Sequence, residues 1–345
     1  MVGERVRDIS EFALIERLEK ALPERAWASP SLHLAIGDDS AVAEVTPGEM
    51  IVVTTDTLND GVHFRLEWTT WENLGHKAIA VNLSDLAAMG AVPHMLTVSL
   101  ALTGDELVHD VEQMYVGMGK LAASHQTVVA GGDITRSNGS LSITVNAIGE
   151  TRRKRLLRRD EAQPNDLIWV TGTIGAAAAG FELEMLPDGD PRKRAATATG
   201  LRNALHCPAP RVKAGRVLAS LGTRCAMDLS DGLAGDLYKI LVASNVDAEI
   251  SLPDLPVAAA VQALFRDQAR DLALHGGEDY ELLFTAPSSF TQQIREGFEL
   301  IGVRASVIGQ IRPRSGDRPR LVGSESHGIR HEIEPRGYDH FRPEP

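Results

Sequence analysis

Two cysteines in 345 residues, Cys207 and Cys225, cannot build a disulfide framework, and their spacing fits no zinc motif. A reducing, cytoplasmic setting is expected. Aromatic residues make up only 5% of the chain, and no stretch approaches the roughly 20 apolar residues that cross a bilayer. No membrane partner is expected. Basic residues are outnumbered, 35 against 47 acidic, and the net charge of −12 argues against a general nucleic-acid binder. The one phosphate-loop candidate, GTIGAAAAG from Gly172, lacks the Lys-Ser/Thr that a P-loop needs, so that turn reads as structural. With no serine elbow and no dinucleotide fingerprint either, the common hydrolase and dehydrogenase chemistries fall away.

What is present is enough apolar material for two ordinary domains, at 43% apolar and 24% charged residues. The start repeats Ile9, Phe12, Ile15, Leu18 and Leu22 among charges, which predicts an amphipathic helix and not a signal peptide. Strand and helix signals then alternate. A strand over Met50 to Thr55 ends at Asp56, a helix covers Trp71 to Met89, a strand covers Leu96 to Leu102, and a helix face runs from Leu107 to Leu121. A strand over Thr127 to Ala130 stops at Gly131-Gly132-Asp133, and another covers Ser142 to Ile148. Thr151 to Arg159 packs six basic residues into nine, so a boundary is placed near Gly149, giving domains 1–149 and 150–345. The second domain reads as a strand Leu167 to Thr171, an Ala-rich helix, an exposed loop Pro187 to Gly200, and a helix Pro210 to Leu221. There follow a strand Cys225 to Met227 ending at Asp228, a helix faced by Leu233, Leu237, Ile240 and Leu241, and strands Tyr280 to Thr285 and Ala305 to Gln310.

Seven aspartates sit where apolar runs stop or helices turn: Asp38, Asp39, Asp56, Asp85, Asp133, Asp228 and Asp231. Any one alone is as readily a turn former or a helix cap. As a set they point to bound cations, because carboxylates sharing a site repel unless a hard divalent metal neutralises them. All-oxygen ligation suits Mg²⁺ better than zinc. Thr54 and Thr55 add hydroxyls directly before Asp56, and Asp85 interrupts an otherwise apolar helix, where a carboxylate is rarely left unpaired. Gly131-Gly132 opens the backbone to close approach before Asp133. In Met227-Asp228-Leu229-Ser230-Asp231-Gly232, two carboxylates and a hydroxyl precede a helix N-terminus, a natural phosphate site.

The ordered series IGDD, TTD, NLSDLAAMGA, GGD, MDLSDGL and GGEDYELLFT resembles the thiamine-monophosphate kinase family. That family belongs to a wider PurM-like group with aminoimidazole ribonucleotide synthetase, selenophosphate synthetase and hydrogenase maturation factor HypE. The likeness runs from Phe12 to Phe341, and GGEDYELLFT with the ending Arg336-Gly337-Tyr338-Asp339-His340-Phe341 marks the thiamine kinase branch.

The resemblance implies a two-domain α/β (α+β) PurM-like fold. Its N-terminal domain has a mixed sheet with helices, binds metal and ATP and dimerises; a C-terminal α+β domain completes the nucleotide and substrate site. It also implies transfer of the ATP γ-phosphoryl group to thiamine monophosphate. Carried over by motif, several Mg²⁺ ions would be held by Asp39, Thr54, Thr55, Asp56, Asp85, Asp133, Asp228 and Asp231. Tyr115, Gly132 with Asp133, Arg159 and Ser230 would contact ATP, and His63, Glu278 and Tyr338 the thiamine substrate. No covalent nucleophile or general base is implied, since phosphoryl transfer asks chiefly for alignment and charge neutralisation. A homodimer is implied as well.

One departure concerns the arginine near the junction, which the family follows with a glycine-rich stretch. Here Asp160-Glu161-Ala162-Gln163 follows, so Arg155, Arg158 and Arg159 all remain candidates for the nucleotide contact. Two other readings share these aspartates: an amidine-cyclising ligase of the same group, with a different substrate pocket, and a non-catalytic ATP-binding scaffold.

Overall fold

In the computed structural model, which describes residues 3–23, 31–37, 39–338 and 341, backbone contacts divide the chain into two units. Asp38, Asp339 and His340 lie outside the described residues. The units part at Arg153, and Ala87–Gly90 belongs with the second. Gly149, where the basic run suggested a boundary, lies inside a strand.

The first unit contains α1 (Glu11–Ala21), β1 (Leu32–Leu34), β2 (Val42–Ala43), β3 (Met50–Asn59), α2 (Trp71–Ala88), β4 (Val92–Leu102), α3 (Val108–Ser124), β5 (Val128–Arg136) and β6 (Ser142–Thr151). Its main sheet has the order β3-β6-β4-β5, antiparallel except for the parallel β4/β5 pair. Alternation sorts the two faces: Leu58, Val98, Leu100, Ile143, Val145 and Ala147 are buried on one, and α2 lies on that side, its Leu86 against Gly149. Helices α2 and α3 cross so closely that a Cβ on Gly75 would fall 1.9 Å from the Met114 carbonyl, and one on Gly117 equally close to Glu72. The opposite sheet face exposes Ile51 and Val53 at 56% and 64%.

In α1 the buried stripe is Leu14 and Leu18, continued by Leu22 just after the helix, each contributing roughly 2 kcal/mol by burial, whereas Phe12 is 80% exposed. Ser10 caps the helix by accepting from the Ala13 N–H. The face turned to α3 is therefore that of Leu14, Leu18 and Leu22, and of the stripe expected from the sequence only Leu18 and Leu22 are buried.

The second unit holds β7 (Leu167–Thr171), α4 (Ala176–Met185), α5 (Ala198–His206), α6 (Val212–Leu221), β8 (Cys225–Asp228), α7 (Leu233–Ser244), β9 (Asp247–Ser251), α8 (Ala259–Phe265), α9 (Ala269–His275) and β10 (Leu282–Ala286). It ends with α10 (Thr291–Leu300), β11 (Ala305–Arg312), β12 (Leu321–Ser324) and β13 (Arg330–Glu332). The seven-stranded mixed sheet has the order β13-β12-β9-β11-β7-β10-β8. At its β7, β10 and β8 end both faces are covered, which is why β7 reads as an unbroken apolar run. Ile168, Val170 and Leu283 pack with Leu237, Ile240 and Leu241 of α7. On the other face Trp169 stacks on Phe284, which meets Phe298 of α10 edge-on, each pair 5.8 Å apart. No helix among the described residues is long and apolar enough to cross a membrane.

The segment expected as a loop over Pro187 to Gly200 is shorter. A 3₁₀ turn, Pro191–Arg194, is capped by Asp190, and α5 begins at Ala198 because Ala198 and Leu201 bury against Ala179 and Leu183 of α4.

Candidate active site

Each unit carries its own group of oxygen donors. In the first, β3 and α2 supply it. The Thr54 hydroxyl donates to an Asp85 carboxylate oxygen, and the Asp56 N–H donates to Asn82 Oδ1 at 3.1 Å. Asn82, fully buried, is itself anchored by donating to the Ala78 carbonyl at 3.0 Å. Thus Thr54, Asp56 and Asp85 meet on one face of the sheet, with Asp85 partnered as its apolar surroundings require.

Asp56 does not end its strand, contrary to expectation. Pairing with β6 runs on from Asp56↔Val145 to Asn59↔Ser142. Nor does β5 stop at the glycines, because Gly131, Gly132 and Asp133 continue the ladder with β4. Gly132 is needed there for close strand approach, since a Cβ would fall 1.8 Å from the Val98 carbonyl.

The pleat separates two further candidates from this group. Thr55 faces away from Thr54 and Asp56, and the chain of partners Ser99↔Asp133, Ser99↔Thr144 and Thr57↔Thr144 puts Asp133 on that same opposite face. There Thr57 and Thr144 share a hydroxyl contact at 2.8 Å, and Asn146 donates to Thr97 at 3.3 Å. Asp39 sits in an exposed bend before β2. His63 follows β3; its Nδ1 accepts the Asn59 N–H at 3.0 Å, which places the ring proton on Nε2, and its carbonyl accepts from Lys77 Nζ at 3.1 Å. Tyr115 is buried on α3, and burial pushes its phenol pKa up, so the hydroxyl stays neutral.

In the second unit the loop between β8 and α7 is the hub. Asp228, 7% exposed, ends β8, and Gly232 starts α7 with φ +111°, a conformation closed to most side chains. Glu278 donates its N–H to the Ser230 carbonyl at 2.8 Å, and Tyr280 donates to the Leu229 carbonyl at 2.9 Å. Both are left-handed, at φ +66° and +48°, so Tyr280 cannot begin β10 as expected, and the strand starts at Leu282. The C-terminal tail crosses the same loop: a Cβ on Gly337 would lie 3.4 Å from the Asp231 Cβ. Asp228, Ser230, Asp231, Glu278 and the tail bearing Tyr338 are therefore drawn together, with Tyr338 47% exposed.

Three carboxylates of this neighbourhood escape a motif-based reading. Asp236, fully buried, accepts the N–H groups of Ser230 and Asp231, both at 3.0 Å. Asp279 accepts from Gly175 at 2.7 Å and Ala177 at 3.3 Å, filling the N-terminus of α4; burial of this carboxylate pushes its pKa up to about 7. Glu281 takes the Arg211 guanidinium at 2.6 and 2.5 Å and the Thr171 hydroxyl at 2.6 Å. The turn after β7 is thus occupied by the protein itself. An acid in the first turn of a helix was the one signal available for Asp236.

Comparison with known proteins bears on what these donors serve. Residues 37–151 match the family model for the AIR synthase related protein N-terminal domain, and 163–322 that for the C-terminal domain. The thiamine-monophosphate kinase of Bacillus subtilis is 34% identical over 97% of this chain and 100% of its own. The crystal structure of thiamine-monophosphate kinase from Stenotrophomonas maltophilia superposes with a TM-score of 0.79 at 39% identity, over 91% of this chain and 96% of that one. The chain belongs to the thiamine-monophosphate kinase family. A further similar structure is AaThiL complexed with AMPPCP and TMP, with a TM-score of 0.73 at 31% identity, over 99% of this chain and 100% of that one.

In this thiamine-monophosphate kinase family member, no three carboxylate, imidazole or thiol groups among the described residues form a metal centre unaided. The donors are carboxylates and hydroxyls in ones and twos. That pattern suits a hard cation that keeps its waters and takes one or two carboxylates besides phosphate oxygens. The arginines near the junction, Arg155, Arg158 and Arg159, are all exposed, and Arg158 is held by Asp160, with Nε at 2.8 Å.

Proposed function

We propose that this enzyme transfers the γ-phosphoryl group of ATP to thiamine monophosphate, forming thiamine diphosphate and ADP, by direct in-line displacement. The observation that carries this reading is near full-length likeness to thiamine-monophosphate kinases, one of them AaThiL complexed with AMPPCP and TMP. A terminal oxygen of the substrate phosphate attacks the γ-phosphorus, the bond to the bridging oxygen breaks, and ADP leaves. The attacking phosphate is already anionic and needs little deprotonation, which accords with the lack of an assigned base.

Mg²⁺ would neutralise the phosphates, and Asp39, Thr54, Thr55, Asp56, Asp85, Asp133, Asp228 and Asp231 are the residues we assign to hold it. The chain's own groups align and shield. Tyr115, Gly132, Asp133, Ser230 and an arginine are assigned to the nucleotide. Arg159 fits the last role better than Arg158, which Asp160 already holds. His63, with its proton on Nε2, is a donor suited to a substrate phosphate; Glu278 and exposed Tyr338 suit a cationic thiazolium through charge and cation–π attraction. We assign the enzyme to the cytoplasm, in keeping with its two free thiols.

A homodimer completes the metal set. Asp56 on β3 and Asp133 on β5 lie at opposite edges of the four-stranded sheet. At about 4.8 Å per strand they are about 14 Å apart, beyond one Mg²⁺ that binds oxygen at about 2.1 Å. Asp56 also faces away from the Ile51/Val53 face that carries Asp133, so the missing carboxylate would come from a second copy reaching the β3 edge, where Asp56 lies.

The deciding assay incubates purified protein with Mg–ATP and, separately, thiamine monophosphate, thiamine, formylglycinamidine ribonucleotide or no acceptor. Thiamine diphosphate with stoichiometric ADP from the monophosphate alone is the expected result. Turnover of the amidine moves the protein to the cyclase branch, and ATP binding without turnover on any acceptor defeats the kinase reading.

A further inference from the structure

Lys239 holds two carboxylates at once. Its ammonium donates to Asp231 and, at 2.7 Å, to Asp236 Oδ1. The two acceptors differ in kind. Asp236 is fully buried, and its other oxygen is committed to the backbone N–H groups of Ser230 and Asp231. It cannot move without dismantling the loop between β8 and α7. Asp231 is a side chain near the surface, 30% exposed, and Lys239 reaches it on a flexible stem with 40% exposure. One contact is therefore a fixed mooring and the other a contact that can be released.

A divalent cation at Asp231 and an ammonium at bonding distance from the same carboxylate repel one another, so the two exclude each other. We propose that Lys239 is the resident counter-ion of Asp231, given up when a divalent cation arrives, and that Asp236 is a positioning residue holding both the loop and the displaced lysine. This rests on reading Asp231 as a metal ligand. In the metal-free enzyme the ammonium neutralises Asp231 and fixes its orientation beneath the tail at Gly337. On exchange Lys239 keeps its bond to Asp236, one helical turn away on α7, and stays tethered beside the site. The carboxylate is thereby presented to the metal in place, and the metal's affinity is lowered by the competing ammonium.

Mn²⁺ titration of the full-length protein, followed by water-proton relaxation, separates this role from a structural one. Lys239→Met removes the competitor while Asp236 still holds both loop amides, so Mn²⁺ binding is expected to tighten by roughly three- to tenfold. Lys239→Arg restores wild-type affinity. Asp236→Asn acts in the opposite direction, because it frees Lys239 to bind Asp231 alone. If the pair were only structural, both Lys239→Met and Asp236→Asn would weaken binding. Thermal melts add a second readout: without metal Lys239→Met melts below wild type, and the gap closes at saturating Mn²⁺. Unchanged or weaker Mn²⁺ affinity in Lys239→Met overturns the proposal even if Asp236→Asn does not fold. Asp231→Asn is the control. If it leaves Mn²⁺ affinity unchanged, Asp231 is no ligand and the reading beneath the proposal fails with it. If it weakens binding while Lys239→Met does nothing, only the exchange is refuted.

Discussion

Asp56, which we assign to the metal, needs little structure of its own. Its backbone is fixed by the β6 ladder and by Asn82, so Asp56→Asn removes charge and leaves those bonds in place. The expected result is a loss of turnover of roughly a hundredfold or more with an unchanged melting curve. Steady-state kinetics beside circular-dichroism melts checks it, and near-normal turnover removes Asp56 from the metal set. Tyr338→Ala is expected to raise KM for thiamine monophosphate with little change in kcat, because the exposed ring is assigned to the thiazolium and not to the transfer. An unchanged KM would leave Tyr338 only pinning the tail. Asp56 was legible because a charge ends an apolar run there, and Tyr338 only through the family resemblance of the ending, Arg336 to Phe341. Asn82, Asp236 and Asp279 were not, since their partners are backbone N–H groups that exist only once loop and helix ends are folded.

Among the elements, continuous or strictly alternating apolar runs announced themselves, and β7 falls on the residues read for it because both its faces are covered. β3 and β5 run past their expected ends: hydrogen-bonded pairing extends them through polar residues that hydropathy takes for turns. The GGEDYE loop is the element where local preference yields most to tertiary demand. Glu278 and Tyr280 are left-handed so that Asp279 can cap α4 and Glu281 can meet Arg211. Burial raises the Asp279 pKa from 3.8 to about 7. A raised folded-state pKa means the folded protein binds more protons than the unfolded one. The stability from this group is complete below about pH 4 and is lost as pH rises through about 7. Asp279→Asn cannot titrate, so its melting temperature should gain on wild type as pH rises across that window. A constant gap between the two proteins from pH 4 to 8 would show that Asp279 titrates as it does in the unfolded chain.

At the scale of the whole molecule, the first unit is more informative for what it leaves open than for what it closes. One face of its sheet is buried beneath α2, while the other presents Ile51, Val53, Thr55 and Thr57 with Asp133 at the far edge. No reading of motifs along the chain distinguishes Asp56 from Asp133. Strand order and pleat do, because they put the two on opposite faces and opposite edges. If two copies meet so that the Asp133 edge of one reaches the Asp56 edge of the other, then Asp56→Asn and Asp133→Asn should each be inactive alone yet complement when mixed. In a mixed dimer one site collects both defects and the other collects none. Random exchange of subunits makes half the dimers mixed, so about one quarter of wild-type turnover should return. The test unfolds the two variants together, refolds them, confirms the dimer by light scattering and measures turnover against each variant refolded alone. Recovery near a quarter requires a site shared between copies, whereas no recovery from well-folded dimers would mean that each copy holds its own Asp56 and Asp133 and that the sheet order separates two different metals.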